Sequence, residues 1–361
     1  MTDYIHQMAP WIGEEEKHAV RNYLDSGGWL TEFRETRGFE QAIAEYVGSR
    51  HASVVTNGTV SLFVALAALG IDKGDEVIVP AFSMIASANA VLLAGATPVF
   101  VDVDAQTLCL DIEATEAAIT TRTKAVMLVS LNGRAPDMDC MLAMCARHGV
   151  ALLEDSAQSL GSRWHGRHLG TFGRIGSFSF SAPKIITTGQ GGALVTDDDD
   201  LIGRIHKLRD FGRARSGVDE HVALGFNFKF TDLQAVVGLA QMRKLDWRVQ
   251  RKKDIFARYQ TALRDVPDVQ FLPTDLNATA PWFIDVLVPD PAALQAHLHQ
   301  RGIGSRPFYP SIPTQSPYRL DRRYPRAEFA ALHGLWLPSS SFLDDQTVDT
   351  VASAIREFYH A

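Results

Sequence analysis

Cysteine is scarce in this chain: Cys109, Cys140 and Cys145 are the only three in 361 residues. An odd number, without disulfide-framework or paired zinc-site spacing, predicts a reducing compartment and no structural metal. Every apolar stretch is shorter than a membrane span, and the N-terminal run Met1-Thr-Asp-Tyr-Ile-His-Gln7 lacks the basic and apolar regions of a signal peptide. A cytoplasmic protein is therefore expected. Charge of one sign is gathered nowhere: the formal net charge is −7, no acidic tail exists, and Lys and Arg are scattered too evenly for a phosphate-tracking stripe. Neither nucleic acid nor a membrane is expected as a partner. The Gly-x-Gly-x-x-Gly dinucleotide fingerprint is also missing, because Gly170, Gly173 and Gly176 have the wrong spacing and follow no strand. A nicotinamide dehydrogenase is disfavoured, and neither internal repeats nor low-complexity segments point to an array.

What is present is a chain with 46% hydrophobic residues, long enough for a large core and a second, smaller domain. Short apolar runs, Ser53–Val55, Glu76–Val79, Pro98–Val101, Lys124–Val129 and Val150–Leu153, read as buried strands. Between them, Thr59–Leu69, Ile85–Leu93, Ile112–Ile119 and Met138–Arg147 read as helices. This alternation, with strands apolar on both faces, predicts an α/β fold with a mainly parallel sheet covered by helices. A charged helix over roughly Thr231–Asp265, with a break expected within it, then leads into a Pro-rich stretch. That change places a large domain at 1–245, with residues 1–26 expected to pack on the small domain, and a C-terminal α+β domain at 246–361. The Asp197–Asp200 run reads as a loop and helix N-terminus.

Ligands of such sheets sit at the carboxyl ends of the strands, and three signals lie there. After Val55, Asn57-Gly58-Thr59 opens into a helix, where exposed amides and the helix dipole favour an anion and the Thr59 hydroxyl adds a donor. After Leu153, Glu154-Asp155 puts carboxylates on a buried strand tip, which demands either an ion pair or a protonated ligand nitrogen. Lys184, between apolar residues and Gly189-Gln-Gly191-Gly192, reads as a Schiff-base lysine, since desolvation lowers an amine's pKa and frees it to attack an aldehyde. Taken singly, each signal has an ordinary alternative: a plain turn, a salt bridge to some arginine, a surface lysine. Together they suit pyridoxal 5'-phosphate, which needs an anion site, a carboxylate for its ring nitrogen and a lysine for its aldehyde.

The motifs Asn57-Gly58-Thr59, Gly74–Pro80, Gly95–Asp102, Glu154-Asp155 with Gln158, Phe178-Ser179-Phe180 with Lys184, and Gly225-Phe-Asn227 resemble those of the DegT/DnrJ/StrS sugar aminotransferases. Thr187–Gly192 and Arg306-Pro-Phe-Tyr309-Pro310 resemble the perosamine synthase branch, which aminates a GDP-linked 4-keto-6-deoxy sugar. The resemblance implies fold type I of pyridoxal-phosphate enzymes, aspartate aminotransferase-like, with a seven-stranded, mainly parallel sheet in the large domain. It implies a homodimer with shared active sites, L-glutamate as amino donor and a keto sugar as acceptor, in surface polysaccharide or related glycan synthesis. By position, Lys184 would be the covalent lysine and the base, Asp155 the partner of the ring nitrogen, and Gln158 a neighbour of the ring's phenolic oxygen. Gly58, Thr59 and Ser179 would hold the phosphate, joined by Asn227 from the partner subunit.

Departures from the family pattern carry information too. Where relatives put an aromatic residue over the ring, this chain aligns Met84, whose thioether can also pack on a ring face. A histidine common after the tyrosine-proline pair is replaced by Ser311-Ile312, and Arg134 appears in Leu131-Asn132-Gly133-Arg134. Arginine's planar fork suits a carboxylate, so a keto-sugar acid such as an oxidised octulosonate is an alternative acceptor, and a solvated loop arginine the ordinary reading. Arg134, Arg306 and Tyr309 are the candidate substrate contacts. A sugar dehydratase, in which the family carries histidine for the lysine, and a non-catalytic cofactor-binding regulator are further alternatives; the lysine favours amine transfer. His165 and His168 read as residues of a solvated or lightly packed loop, Cys140, Cys145 and His148 as ordinary helix residues, and Arg209, Arg213 and Arg215 as either a diphosphate attractor or a basic loop.

Overall fold

The computed structural model of the chain describes residues 4–360. Two helices come first, α1 (Glu14–Asp25) and α2 (Arg34–Val47). Strands and helices then alternate: β1 (His51–Val55), α3 (Gly58–Ala68), β2 (Glu76–Pro80), α4 (Ala86–Leu93), β3 (Thr97–Val101), α5 (Ile112–Ala117), β4 (Thr123–Val129), α6 (Met138–His148) and β5 (Ala151–Asp155). A small hairpin, β6 (Arg163–Trp164) and β7 (Arg167–His168), precedes β8 (Ile175–Ser179) and β9 (Gly192–Thr196). The remaining helices are α7 (Asp199–Arg209), α8 (Asp232–Met242), α9 (Leu245–Ala262), α10 (Pro291–Gln300), α11 (Pro325–His333) and α12 (Asp345–His360). Threaded among them are β10 (Gln270–Phe271), β11 (Ile284–Leu287), β12 (Arg306–Pro307) and β13 (Gly334–Leu337).

The main sheet has seven strands in the order β1-β9-β8-β5-β4-β2-β3. Only β9 runs against its neighbours, pairing antiparallel with β1 and β8. The mixed, mostly parallel α/β sheet expected from the alternating pattern is what forms. All five residues of β2 are buried, as are the last five of β4, because helices cover both faces. Of the seven strands, β8 and β9 are the two that apolar periodicity does not announce. Their Gly176 and Gly192 leave no room for a side chain: a Cβ would lie 1.9 Å from the Gly170 oxygen and 2.5 Å from the Asn57 oxygen, respectively.

Helix boundaries follow local chemistry. Asn57, Asp137 and Asp198 each accept a first-turn amide at the starts of α3, α6 and α7, so the aspartate run at 197–200 is indeed a helix cap. The long C-terminal helix breaks at Arg243-Lys244, between α8 and α9. Lys244 there pairs with Glu16 of α1 at 2.5 Å, and α1 packs on α8.

A separate hydrophobic core gathers Ile255, Phe256 and Tyr259 of α9 with α10, α12 and the antiparallel sheet β10-β11-β13-β12. The N-terminal segment is tied to these elements: Ile5 bridges Ile303, and the Ser339 amide donates to the Gln7 oxygen at 2.9 Å. Between this core and the large sheet lies an aromatic layer of Phe82, Trp282, Phe283, Phe308, Tyr309 and Trp336. That layer walls the carboxyl edge of the large sheet.

Candidate active site

The first wall of the site is the start of α3. Asn57 is extended and its side chain accepts from the Val60 amide at 2.9 Å. The amides of Gly58 and Thr59, in the first helical turn, have no intrahelical acceptor and point with the positive end of the helix dipole. Ser179, at the end of β8, presses against them: a Cβ on Gly58 would lie 2.9 Å from the Ser179 Cβ and 3.1 Å from its Oγ. Gly58 is therefore required for the approach of the serine hydroxyl to the helix N-terminus. Amides and a hydroxyl converge into a cradle whose chemistry is that of a phosphate site.

Two carboxylates end β5, and the structure separates their roles. Glu154 is fully buried and accepts the amides of Gly170 (2.7 Å), Phe172 (2.6 Å) and Gly173 (2.6 Å), so it organises the loop that leads into β8. Asp155, 5% exposed, has fewer partners: Ser87 Oγ at 2.7 Å from Oδ2 and the Ala157 amide at 3.2 Å from Oδ1. Burial raises its pKa, while the Ser87 hydroxyl, the Ala157 amide and the charge of Lys184 act in the opposite direction. Neither carboxylate pairs with an arginine among the described residues, so the salt bridge that a buried strand tip might have demanded is not formed.

Lys184 lies in the loop after β8, its amide donating to the Ser181 oxygen at 3.0 Å. Its side chain is partly buried, and desolvation lowers its pKa to about 8 against the opposing pull of Asp155. Nζ stands 3.9 Å from the centroid of the Trp282 ring. The indole is fixed by a 2.7 Å hydrogen bond from Nε1 to the Pro183 oxygen and by stacking on Phe283 at 3.8 Å. A phosphate cradle, a carboxylate for a ring nitrogen and a desolvated amine thus share one strand edge. This donor set fits pyridoxal phosphate.

Gln158, also buried, accepts the Asn132 amide at its Oε1 (2.8 Å). Tyr309 is buried against Trp336, with ring centroids 4.7 Å apart. Burial raises the pKa of its hydroxyl, opposed by Arg306 and reinforced by Asp155, which sets all three in one neighbourhood. Arg306 is exposed, its guanidinium over the rings of Trp336 (5.5 Å) and Tyr309 (5.7 Å). Met84, just before α4, is 46% exposed, whereas Phe82 is fully buried against Phe308 and Tyr309 and cannot cover a ring in the cleft. Asn227 is exposed, in a bridge with Asp210 next to the outward-facing Val222 and Leu224.

Arg134 requires a correction. It is 3% exposed and clamps Asp285 through two hydrogen bonds, at 3.2 and 2.6 Å, while its Nε donates to the Thr107 oxygen at 3.0 Å. It is neither a solvated loop arginine nor a free partner for a substrate carboxylate. Arg209 is likewise committed, to Glu32 and Glu40, and Arg213 to Asp210 and Asp219. His168 is not a lightly packed loop residue: it is 1% exposed, accepts the Gly161 amide at 2.8 Å, and burial lowers its pKa to about 4.

Ser87, Asn132 and Trp282 escaped the sequence reading. Ser87 sits in a small-residue helix start with nothing to mark it. Trp282 carried a faint signal, an aromatic pair between Pro281 and a strand in a stretch otherwise rich in turn residues.

Residues 10–356 match the model of the DegT/DnrJ/EryC1/StrS aminotransferase family. The chain is 35% identical over 360 residues to a GDP-perosamine synthase of Escherichia coli O157:H7, with 99% of each chain covered. It is 31% identical to the GDP-perosamine synthase of Vibrio cholerae, covering 97% of this chain and 98% of that one. Among solved structures, S. venezuelae DesV superposes with a TM-score of 0.92 at 33% identity, covering 98% of this chain and 99% of that one. The pyridoxamine-phosphate form of a sugar aminotransferase from Streptococcus pneumoniae superposes at 0.93 with 27% identity, over 99% and 98% of the two chains.

Proposed function

The chain belongs to the DegT/DnrJ/EryC1/StrS family of pyridoxal-phosphate-dependent sugar aminotransferases, and from that premise we propose that it moves an amino group from L-glutamate to a nucleotide-linked 4-keto-6-deoxy sugar. The observation that carries this reading is that Lys184, after β8, and the buried Asp155, at the end of the neighbouring strand β5, each shift the other's pKa by charge at the same sheet edge where Ser179 approaches Gly58. Similarity to GDP-perosamine synthases over nearly the whole chain supports the choice of sugar. The keto-sugar acid loses its supporting residue, because Arg134 is engaged with Asp285.

When bound, pyridoxal phosphate supplies an electron-accepting ring and carries the amine between donor and acceptor. The chain's residues provide the rest. Gly58, Thr59 and Ser179 bind the phosphate through amides and hydroxyls. Asp155, oriented by Ser87, would pair with the ring nitrogen and hold it protonated. Gln158 fixes the loop at Asn132 by accepting its amide. Lys184 gives the covalent anchor and, with a pKa of about 8, is a free amine often enough near neutral pH to take a proton at the substrate carbon and return it. The aromatic layer with Tyr309 and Trp336 excludes water, and Arg306 at its rim offers a cation to the sugar's diphosphate carrier. Met84, exposed just before α4, would pack its thioether on the ring face.

A homodimer completes the site, with Asn227 reaching the phosphate of the partner. The exposed Val222 (53%) and Leu224 (77%) close to Asn227 in sequence, and Trp29 (76%) and Phe33 (52%) near the start of α2, support such an interface, since large exposed apolar side chains mark association surfaces. Incubation with L-glutamate and a panel of nucleotide-linked keto sugars and keto-sugar acids, read by mass spectrometry, tests the assignment. The aminated 4-keto-6-deoxy sugar is the expected product; an aminated sugar acid, or a dehydrated sugar without nitrogen, would overturn it.

A further inference from the structure

Trp282 is 98 residues from Lys184 in sequence, yet the lysine amine sits over its ring, 3.9 Å from Nζ to centroid. Indole gives the strongest cation–π partner among the side chains, and the attraction grows where water is excluded. The ring does not meet the amine by chance packing. Its Nε1 donates to the oxygen of Pro183, the residue just before Lys184, and its plane stacks on Phe283 at 21°.

Phe283 is held in turn. Asn132 accepts the Phe283 amide at 2.6 Å and donates its Nδ2 to the Phe283 oxygen at 2.8 Å, satisfying both backbone groups with one side chain. Two residues further along both segments, Arg134 clamps Asp285. Asn132 itself has a left-handed backbone (φ 52°), and a Cβ on Gly133 would lie 2.4 Å from the Ala280 oxygen, so the 131–134 loop is pressed against the 280–285 segment. The Asn132 amide donates to Gln158, closing a chain of contacts from Gln158 through Asn132 and Phe283 to Trp282 and Lys184.

We propose that Trp282 is a positioning residue for Lys184: its indole face holds the lysine amine whenever that amine is not bonded to the cofactor, and the Gln158–Asn132–Phe283 linkage fixes the ring for that task. A lysine stem has four rotatable bonds and would otherwise scatter the amine among many rotamers. The ring also favours the protonated amine, opposing the desolvation that lowers its pKa; Asp155 is the charged group that acts in the same direction. The inference rests on Lys184 being the cofactor's lysine.

The test uses the full-length, cofactor-free protein. The pH dependence of Lys184 acylation is measured by peptide mass spectrometry in wild type, Trp282→Leu and Trp282→Phe, with thermal melts run in parallel. Loss of the aromatic face should lower the titration midpoint of Trp282→Leu by about half a pH unit, and Trp282→Phe should keep most of the wild-type value. A midpoint in Trp282→Leu at or above wild type, or equal displacement in both variants, overturns the proposal. If the leucine variant does not fold, Trp282→Met takes its place. Borohydride reduction of the holoenzyme followed by peptide mapping reports on the Lys184 assignment alone, so a label on another lysine sinks that reading without bearing on the acylation midpoints.

Discussion

Ser87 Oγ donates a 2.7 Å hydrogen bond to Asp155 Oδ2, joining the first turns of α4 to the tip of β5 across 68 residues of sequence. Burial alone pushes the Asp155 carboxyl toward its neutral form, and a neutral carboxyl cannot hold a protonated ring nitrogen. The hydroxyl therefore matters to the site through the charge state of its neighbour.

Replacing it makes this measurable. Ser87→Ala removes a bond to a charged group, an effect of about 1.5–3 kcal/mol, which corresponds to about ten- to a hundredfold weaker cofactor binding. Because the carboxyl pKa rises further in the variant, affinity should recover as pH is raised and Asp155 ionises. Absorbance titration with pyridoxal phosphate at several pH values gives the answer; a loss that does not depend on pH would assign Ser87 to packing.

Gly58 makes a different prediction, specific to the phosphate. A Cβ there would strike Ser179, so Gly58→Ala must push the hydroxyl away from the helix start. Affinity for pyridoxal phosphate should fall about tenfold or more, the scale of losing one hydrogen bond to a charged ligand, while affinity for unphosphorylated pyridoxal should change little. Equal losses for both would show that the cradle does not hold the phosphate.

Much of this was legible from local sequence, for a physical reason. The helix N-terminus at Gly58, the acidic tip at Asp155 and the lysine after β8 are each defined by residues adjacent in the chain, and the parallel topology alone brings them to one edge. Arg134 was not legible, since its partner Asp285 lies 151 residues away and a planar cation suits a ligand carboxylate as well as a protein one. Ser87 and Trp282 were hidden for the same reason: what makes them matter is a contact made only in the folded chain. The strands β8 and β9 were obscured by glycines that the tight approach of neighbouring backbone requires.

The Arg134–Asp285 pair predicts a stability effect, with no selective effect on one substrate class. Arg134→Ala leaves a buried carboxylate uncompensated and should destabilise the fold by about 3–5 kcal/mol, whereas the double variant Arg134→Met/Asp285→Leu should recover most of that loss. Chemical denaturation of the three proteins provides the comparison. A stable Arg134→Ala protein with altered acceptor preference would return the arginine to the substrate.

Lys252 of α9 is 1% exposed, donates to the Ser339 oxygen, and is lowered by burial to a pKa of about 7. In the folded protein it loses its proton near pH 7, but in the unfolded chain only near 10.4, so the unfolded state binds more protons between those values and stability rises with pH across that window. Lys252→Met should flatten this rise by an amount on the order of a few kcal/mol over the full window. Unfolding free energies at pH 7 and 9.5 for both proteins decide it; parallel pH slopes would contradict it.

In the proposed function, Lys184 moves the proton that accompanies transfer of the amine. Single-turnover absorbance of the holoenzyme on adding L-glutamate tests it most directly, with 2-oxoglutarate counted against enzyme. Wild type should convert its cofactor to the pyridoxamine form with one equivalent of 2-oxoglutarate, and Lys184→Ala should be slower by at least about 10²–10⁴-fold, the range for a lost general base. Conversion by Lys184→Ala at the wild-type rate would show that another group moves the proton.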